Sequence, residues 1–364
     1  MRGFLRRAWH YAIHERNPLV QILYFGVMSI SYFFFVRDAH PFIPNEYVDG
    51  YHKWTAPVLF FACFGIYGFM CVSDPGVVRA DNLHEFAQYP AHPVLFPESK
   101  YCRTCTTIKL PRSKHCRVCN HCVARFDHHC IWFNGCVGER NYKYFLLFLV
   151  AQSALCIYGF VLCSSVFLVQ VSAFSIPVVA GNHLTGNLNA AWQTEPLLRR
   201  TKADADADTA LADALRAVIV RNQGLGFVAA LTLMTGIVVW IFFLIQLYRI
   251  GRNETANESF KREDLYETAT MDGVSSGRHM LRFLMKRLTR KQKREMPRRE
   301  QKKALDASWG GLFSPDAILN TEEEFSAADV KYNPYDQGSF WKNLLDALGH
   351  YSPVTTATTA KKTD

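Results

Sequence analysis

Four apolar runs, at about residues 19–36, 54–73, 145–172 and 225–248, contain no Asp, Glu, Lys or Arg. An α-helix rises 1.5 Å per residue, so roughly 20 apolar residues cross the ~30 Å hydrocarbon layer of a bilayer. A surface helix of a soluble domain needs a polar face, and these runs have none. They therefore predict four transmembrane helices. The first run is too long for a secretory signal, and Arg37, Asp38 and His40 follow it where a small-residue cleavage site would stand. It is expected to be a retained span.

The cations orient the spans. Residues 1–18 carry four Lys or Arg, the segment 74–144 carries ten and the tail after the fourth run carries twenty. The loop between the first two runs carries only Arg37 and Lys53, and the five cations in the loop after the third run are offset by Glu195, Asp204, Asp206, Asp208 and Asp213. The excess of positive charge predicts that both termini and the segment 74–144 face the cytosol. The expected order is a cytosolic N-terminus (1–18), transmembrane helices 1 and 2 (19–73) and a cytosolic cysteine-rich domain (74–144). Helix 3 (145–172), a lumenal loop (173–224), helix 4 (225–248) and a cytosolic tail (249–364) follow.

Seven of the eleven cysteines fall between Cys102 and Cys136. Cytosolic thiols stay reduced, so dense Cys/His spacing there points to metal rather than to disulfides. Cys102, Cys105, His115, Cys116, Cys119, Cys122, His129 and Cys136 supply eight ligands, enough for two tetrahedral zinc sites. Spacing alone leaves several pairings open. The segment has few large aliphatic side chains, so metal would provide its folding free energy. His121 is expected beside the ligands rather than among them. The remaining cysteines, Cys63, Cys71, Cys156 and Cys163, lie in or at the ends of spans as small packing residues. Cys71, at the cytosolic end of the second run, is also a candidate for acylation.

Cys130 is left over by the ligand count. It follows Asp127, His128 and His129. A free cysteine has a pKa near 8.5 and needs help to become the thiolate nucleophile. A histidine can take its proton, and a carboxylate can hold that histidine in the useful tautomer. His128 and Asp127 fit those roles, with His129 committed to metal.

The run from Cys102 through Phe145 resembles the cysteine-rich domain of the DHHC-type protein S-acyltransferases, or palmitoyltransferases. The matching pieces are CRTC, KLPRSKHCRVCNHC, RFDHHCIW and NGCVG, with Asn141 and Phe145 beyond them. Asp74-Pro75-Gly76, Thr255-Ala256-Asn257-Glu258 and Asn333-Pro334-Tyr335-Asp336-Gln337-Gly338 with Asn343 are similar to further motifs of that family. The resemblance implies an all-α integral membrane protein of four helices, with a zinc-bound cysteine-rich domain between helices 2 and 3. It implies interleaved zinc ligands: Cys102, Cys105, His115 and Cys122 on one ion, and Cys116, Cys119, His129 and Cys136 on the other. It implies that Cys130 takes a long-chain acyl group from acyl-CoA and passes it to cysteines of membrane-associated proteins. An acyl chain buries methylenes at roughly 0.8 kcal/mol each, so a cavity between the spans is expected to hold it. Lys114, Arg117 and Arg125 are candidates to meet the CoA phosphates by location alone.

Three residues depart from the family pattern. Ala256 stands where a threonine hydroxyl supports the aspartate, Ile131 where a proline is usual, and Gly135 where an asparagine is usual. The missing hydroxyl lends support to an alternative, a catalytically silent zinc-folded membrane adaptor. Other features are weaker. Asp204, Asp206 and Asp208 resemble the start of a calcium loop, but Thr209 and Leu215 replace the required Gly and Glu. Residues 278–303 carry twelve Lys or Arg against two Glu, which suits an anionic membrane surface. They lack the paired aromatic platform of a single-strand binder, so no nucleic-acid partner is expected. Phe340, Leu344 and Leu348 predict a short amphipathic helix. Lys361-Lys362 resembles a dilysine retrieval signal, which suggests the endoplasmic reticulum, with the Golgi as the alternative.

Overall fold

The computed structural model describes residues 11, 15–92, 94–96, 100–175, 216, 218–270 and 330–350. The Asp204–Asp208 repeat, the basic segment 278–303 and Lys361-Lys362 lie outside them. The chain divides into two compact units.

The first unit comprises residues 1–73, 130–135 and 143–247. Among the described residues four helices are long and apolar enough to cross a membrane: α1 (Leu19–Phe34, continuing through a wider π turn, Phe35–Ala39, and a tighter 3₁₀ turn, His40–Phe42), α2 (His52–Val72), α3 (Tyr142–Ser175) and α4 (Gln223–Gly251). Large apolar side chains such as Ile22, Phe33, Val58, Val238 and Ile241 are exposed on their outer faces. Such an apolar exterior belongs in lipid. This is the architecture of a multi-pass membrane protein.

Polar side chains tie these helices together, as expected where apolar contact alone gives no preference over lipid. The Tyr24 hydroxyl donates to Gln152 Oε1 at 2.7 Å, and the Cys63 thiol donates to the same oxygen at 3.3 Å. Tyr24 and Tyr67 stack with ring centroids 3.8 Å apart. At the far end of α2, Tyr158 hydroxyl meets His52 Nδ1 and Thr55 Oγ1, each at 2.5 Å. Between the helices lies a cavity of about 330 Å³, walled by Leu23, Val27, Phe60, Leu155, Leu162 and Val228, with Trp132 also on its lining.

The second unit comprises residues 74–129, 136–142 and 248–364. Its cysteine-rich part is built from short strands. The all-α expectation is therefore met only in part: the spans are helical, while the described residues between them include seven strands of two or three residues. These are β1 (Val77–Val78), β2 (Tyr101–Cys102), β3 (Thr107–Ile108), β4 (Lys114–Cys116), β5 (His121–Val123), β6 (His128–Cys130) and β7 (Gly135–Val137). They form hairpins β2–β3, β4–β5 and β6–β7, with β1 added to β5. Such strands are too short to persist unaided, and ligand spacing does not reveal them.

The Asp74-Pro75-Gly76 turn explains its own residues. Asp74 Oδ1 accepts from the N–H groups of Gly76 and Val77 at 3.0 and 3.2 Å, and Asp74 Oδ2 accepts from Arg140 at 2.8 Å. Gly76 has φ +91°, which a side chain would oppose. Gly138 packs against the same turn, where a Cβ would meet Val123 at 2.4 Å and the Pro75 carbonyl at 2.6 Å.

Among the described residues of this unit two further helices, α5 (Ala256–Thr270) and α6 (Phe340–Ala347), lie around Arg112. That guanidinium is fully buried and grips Glu258 through two bonds of 2.8 and 2.9 Å. It also donates to Asn253 and Asp346 and lies against the rings of Tyr89 and Tyr335. Burial opposes its charge, but Glu258 outweighs that and holds its pKa above the ordinary value. Asn343 Nδ2 donates to the Gly251 carbonyl at 2.9 Å, tying α6 to the end of α4. The buried face of α6 is Asn343, Asp346 and Ala347, whereas Phe340, Trp341 and Leu345 are exposed. The expected short helix is present, and its Phe340–Leu344–Leu348 stripe docks only in part: Leu344 and Leu348 are half-buried beside Asn343 and Ala347, while Phe340 is exposed.

Candidate active site and metal centres

The eight predicted ligands come together as two groups, in the interleaved pairing. Cys102, Cys105, His115 and Cys122 form one, and Cys116, Cys119, His129 and Cys136 the other; within each, the ligand atoms lie within 4.8 Å of one another. His115 Nδ1 is 3.6, 3.2 and 3.9 Å from the sulfurs of Cys102, Cys105 and Cys122. His129 Nδ1 is 3.6, 3.3 and 3.8 Å from those of Cys116, Cys119 and Cys136. With Zn–S about 2.3 Å and Zn–N about 2.0 Å, a tetrahedron has edges of roughly 3.5–3.8 Å. The spacing fits. The electrostatics fit too: hydrogen bonds from Cys119 and Cys136 drive the Cys116 thiol far down, while those to Cys116 and Cys119 drive Cys136 far up. The sulfurs share protons in this cluster, and a divalent cation would take the place of those protons. His121, on β5 opposite Cys116, belongs to neither group.

The hairpins repeat. Cys102, Cys116 and Cys130 recur fourteen residues apart at the ends of β2, β4 and β6. Each is followed four residues later by a left-handed turn residue: Thr106 at φ 49°, Asn120 at 57° and Asn134 at 51°. In the first two hairpins a second cysteine stands three residues on, Cys105 and Cys119. In the third that place is taken by Phe133, which packs at 5.1 and 5.7 Å from the rings of Phe148 and Tyr67. Cys130 therefore occupies a ligand position in a hairpin whose ligand pair is incomplete. It is buried at 7% exposure and outside both ligand groups. The sequence reading missed this repeat, and the regular spacing of its cysteines was the available signal.

The tip of the third hairpin, 130–135, belongs to the first unit and is held there by backbone contacts. The Tyr67 hydroxyl donates to the Trp132 carbonyl at 2.7 Å, Gln21 Nε2 to that of Phe133 at 3.4 Å and Arg16 Nε to that of Asn134 at 2.9 Å. Strand alternation sorts the side chains of β6: His128 and Cys130 share one face, and His129 points to the other, among its sulfurs.

Asp127 is 2% exposed, and its Oδ2 meets His128 Nδ1 at 2.8 Å. A carboxylate there favours N–H on Nδ1 and leaves Nε2 as the acceptor. Burial raises the Asp127 pKa, but the His128 contact and the Ala256 N–H outweigh it and hold the carboxyl below its ordinary value. That N–H donates to Asp127 Oδ1 at 2.7 Å. The surrounding Thr255-Ala256-Asn257-Glu258 is a reciprocal helix cap. Thr255 N–H donates to Glu258 at 2.9 Å, and Glu258 N–H donates to Thr255 Oγ1 at 3.3 Å. The cap leaves the Ala256 N–H, at the first turn of α5, free to face an anion. The missing threonine hydroxyl is thus replaced by a backbone donor, which the side-chain pattern could not show.

A second cavity, of about 420 Å³, lies in the second unit among Lys100, Lys109, Lys114, Arg117 and Lys261. Burial and the neighbouring charges, Lys100 chief among them, push Lys261 down to about 8. Lys114 and Arg117 thus line a cationic cavity, whereas Arg125 is buried against the Tyr142 ring.

Residues 95–263 match the family model described as DHHC palmitoyltransferase. Among individual proteins, palmitoyltransferase SWF1 of Neurospora crassa is 26% identical over 277 residues, covering 74% of this chain and 59% of that protein. Palmitoyltransferase swf1 of Emericella nidulans is 27% identical over 385 residues, covering 96% of this chain and 84% of its own. Palmitoyltransferase SWF1 of Yarrowia lipolytica is 29% identical over 260 residues, covering 70% and 60%. The match thus spans about three-fifths of the Neurospora and Yarrowia relatives' length.

Proposed function

We propose that this chain is a protein S-acyltransferase that moves a long-chain acyl group, palmitoyl by preference, from acyl-CoA to cysteines of membrane-associated proteins. The observation that carries it is a thiol in a ligand position of a metal-type hairpin, left outside both ligand groups, next to an Asp127–His128 pair. Two zinc ions, held by the two ligand groups, supply fold rather than chemistry.

In the first step His128 Nε2 takes the proton of Cys130, and Asp127 stabilises the imidazolium. The thiolate attacks the thioester carbonyl, a C–S bond to Cys130 forms, the bond to CoA breaks, and CoA leaves as a thiol with that proton. In the second step a substrate cysteine attacks acyl-Cys130, and Cys130 is regenerated. One thioester replaces another, so the enzyme contributes activation and positioning rather than driving force. The apolar cavity of the helical unit suits the acyl chain, and the five-cation cavity suits the CoA phosphates. We assign the termini and the cysteine-rich segment to the cytosol, and the protein to the endoplasmic reticulum. The Ala256 N–H removes the observation that favoured a silent adaptor.

Purified protein incubated with labelled palmitoyl-CoA tests this. A hydroxylamine-labile label on wild type that vanishes in Cys130→Ser supports it. Equal labelling of both overturns it.

A further inference from the structure

Cys130 opens a hairpin tip whose own sequence does little to fix it. Residues 130–135 hold no proline, and Gly135 widens the choices open to the backbone. The second ligand group takes His129 and Cys136 on either side of the tip and no residue within it. The turn closes through the Asn134 N–H and the Ile131 carbonyl at 3.3 Å. Its other restraints come from side chains of the same helical unit. Three consecutive carbonyls, those of Trp132, Phe133 and Asn134, each accept from a different residue: the Tyr67 hydroxyl at 2.7 Å, Gln21 Nε2 at 3.4 Å and Arg16 Nε at 2.9 Å. Gln21 bonds in both directions, because its Oε1 accepts from Asn134 Nδ2 at 3.4 Å. Bonds to carbonyls fix the path of the chain rather than one rotamer.

Tyr67 ties this grip to the apolar cavity. It is fully buried, its ring stacks on Tyr24, and it lies 5.7 and 5.8 Å from the rings of Phe133 and Phe148. Tyr24 and Trp132 both line the cavity, whereas Arg16, Gln21 and Tyr67 do not. The three gripping residues therefore meet the cavity wall only through the tip and through Tyr24. A buried hydroxyl and a carbonyl that satisfy each other resist separation, since each would otherwise be left unpaired. Cys130 stands two residues before the Trp132 carbonyl so held.

Resting on the acyltransferase reading, we propose that Arg16, Gln21 and Tyr67 are positioning residues, which hold Cys130 in line with the thioester of an acyl chain seated in the cavity. Their effect falls on alignment, where a misplacement of about 1 Å costs on the order of 10²-fold in rate. Neither the metal groups nor the intrinsic reactivity of the thiol depends on them.

The rate of Cys130 loading, measured on detergent-purified full-length protein across a range of labelled palmitoyl-CoA concentrations, tests this. Tyr67→Phe keeps the ring and Gln21→Met keeps the length, and each removes the hydrogen bonds. Each should slow loading at saturating palmitoyl-CoA by about tenfold, and exposed Arg16→Leu by about threefold. The half-saturating concentration should stay within about twofold, because only alignment is lost. Bound zinc should be unchanged. Iodoacetamide needs no alignment with the cavity, so its rate with Cys130 should also stay within about twofold of wild type. Slowing that appears only as a higher half-saturating concentration, or that runs in step with lost zinc or altered iodoacetamide reactivity, overturns positioning. Wild-type loading in Tyr67→Phe and Gln21→Met overturns the inference and leaves the enzyme reading intact. A wild type that takes no label overturns that reading itself.

Discussion

The second and third hairpins of the cysteine-rich segment share one plan and differ in their ligand content. Each begins with a His-Cys pair, His115-Cys116 or His129-Cys130, turns on an asparagine with positive φ, Asn120 or Asn134, and ends on a cysteine, Cys122 or Cys136. In the second hairpin Cys119 completes a ligand pair with Cys116; in the third Phe133 stands there and packs among aromatic rings instead. Of the four positions at which HCRVCNHC and HCIWFNGC differ, the one that removes a ligand cysteine is Cys119 against Phe133, and it goes with Cys116 inside a ligand group and Cys130 outside both. The difference teaches that accurate positioning and chemical availability can come from one scaffold, when a ligand set is left unfinished.

The largest effects should fall on the metal side. His129→Ala removes a ligand from a group whose binding free energy, on the order of 10–16 kcal/mol for a structural zinc, is folding free energy. It should lose one zinc and the folded segment, measured by metal analysis and proteolysis. Cys130→Ser should keep two zincs per chain. If the two variants behaved alike, the hairpins would not differ as described.

Asp127→Asn comes next. It keeps the shape but favours the wrong His128 tautomer, and loading should fall by ~10²–10⁴-fold. Because the native Asp127 pKa is depressed, its contribution to stability is full above the unfolded carboxylate pKa and is lost as pH falls through the lower native one. Acid titration of wild type and variant should converge in that acidic window. Unchanged loading in the variant would remove Asp127 from the mechanism.

Phe133→Ala empties the site that distinguishes the third hairpin. The loss should be about 3–5 kcal/mol of stability, with zinc content unchanged. Loss of zinc instead would mean that the third hairpin supports metal binding directly.

The smallest change is Ala256→Thr. Asp127 already accepts the backbone N–H there, so a hydroxyl adds at most one net hydrogen bond, about 0.5–1.5 kcal/mol. Loading should change by no more than about threefold. A gain of several hundredfold would show that the backbone donor does not substitute for the hydroxyl.

Much of this was legible before any coordinates. Uncharged runs of spanning length announce helices because lipid tolerates little else. Cys and His spacing announces metal because ligand chemistry is local. Three things were hidden. The strands around the ligands are too short to show a period. The donor to Asp127 is a backbone N–H, which side-chain identity does not encode, although the Thr255/Glu258 pair was a legible helix cap. The docking face of α6 centres on Asn343 and Asp346, which find buried partners at Gly251 and Arg112, so hydrophobic periodicity, which marks the half-buried Leu344 and Leu348, reaches only its edge.

The most direct measurement is thiol mapping of the folded, zinc-replete protein with a mild alkylating reagent, before and after palmitoyl-CoA. Cys130 should react while the six cysteines of the two ligand groups stay protected and two zincs remain bound, and palmitoyl-CoA should block it. Protection of Cys130 that yields only when a chelator strips the metal would contradict the account.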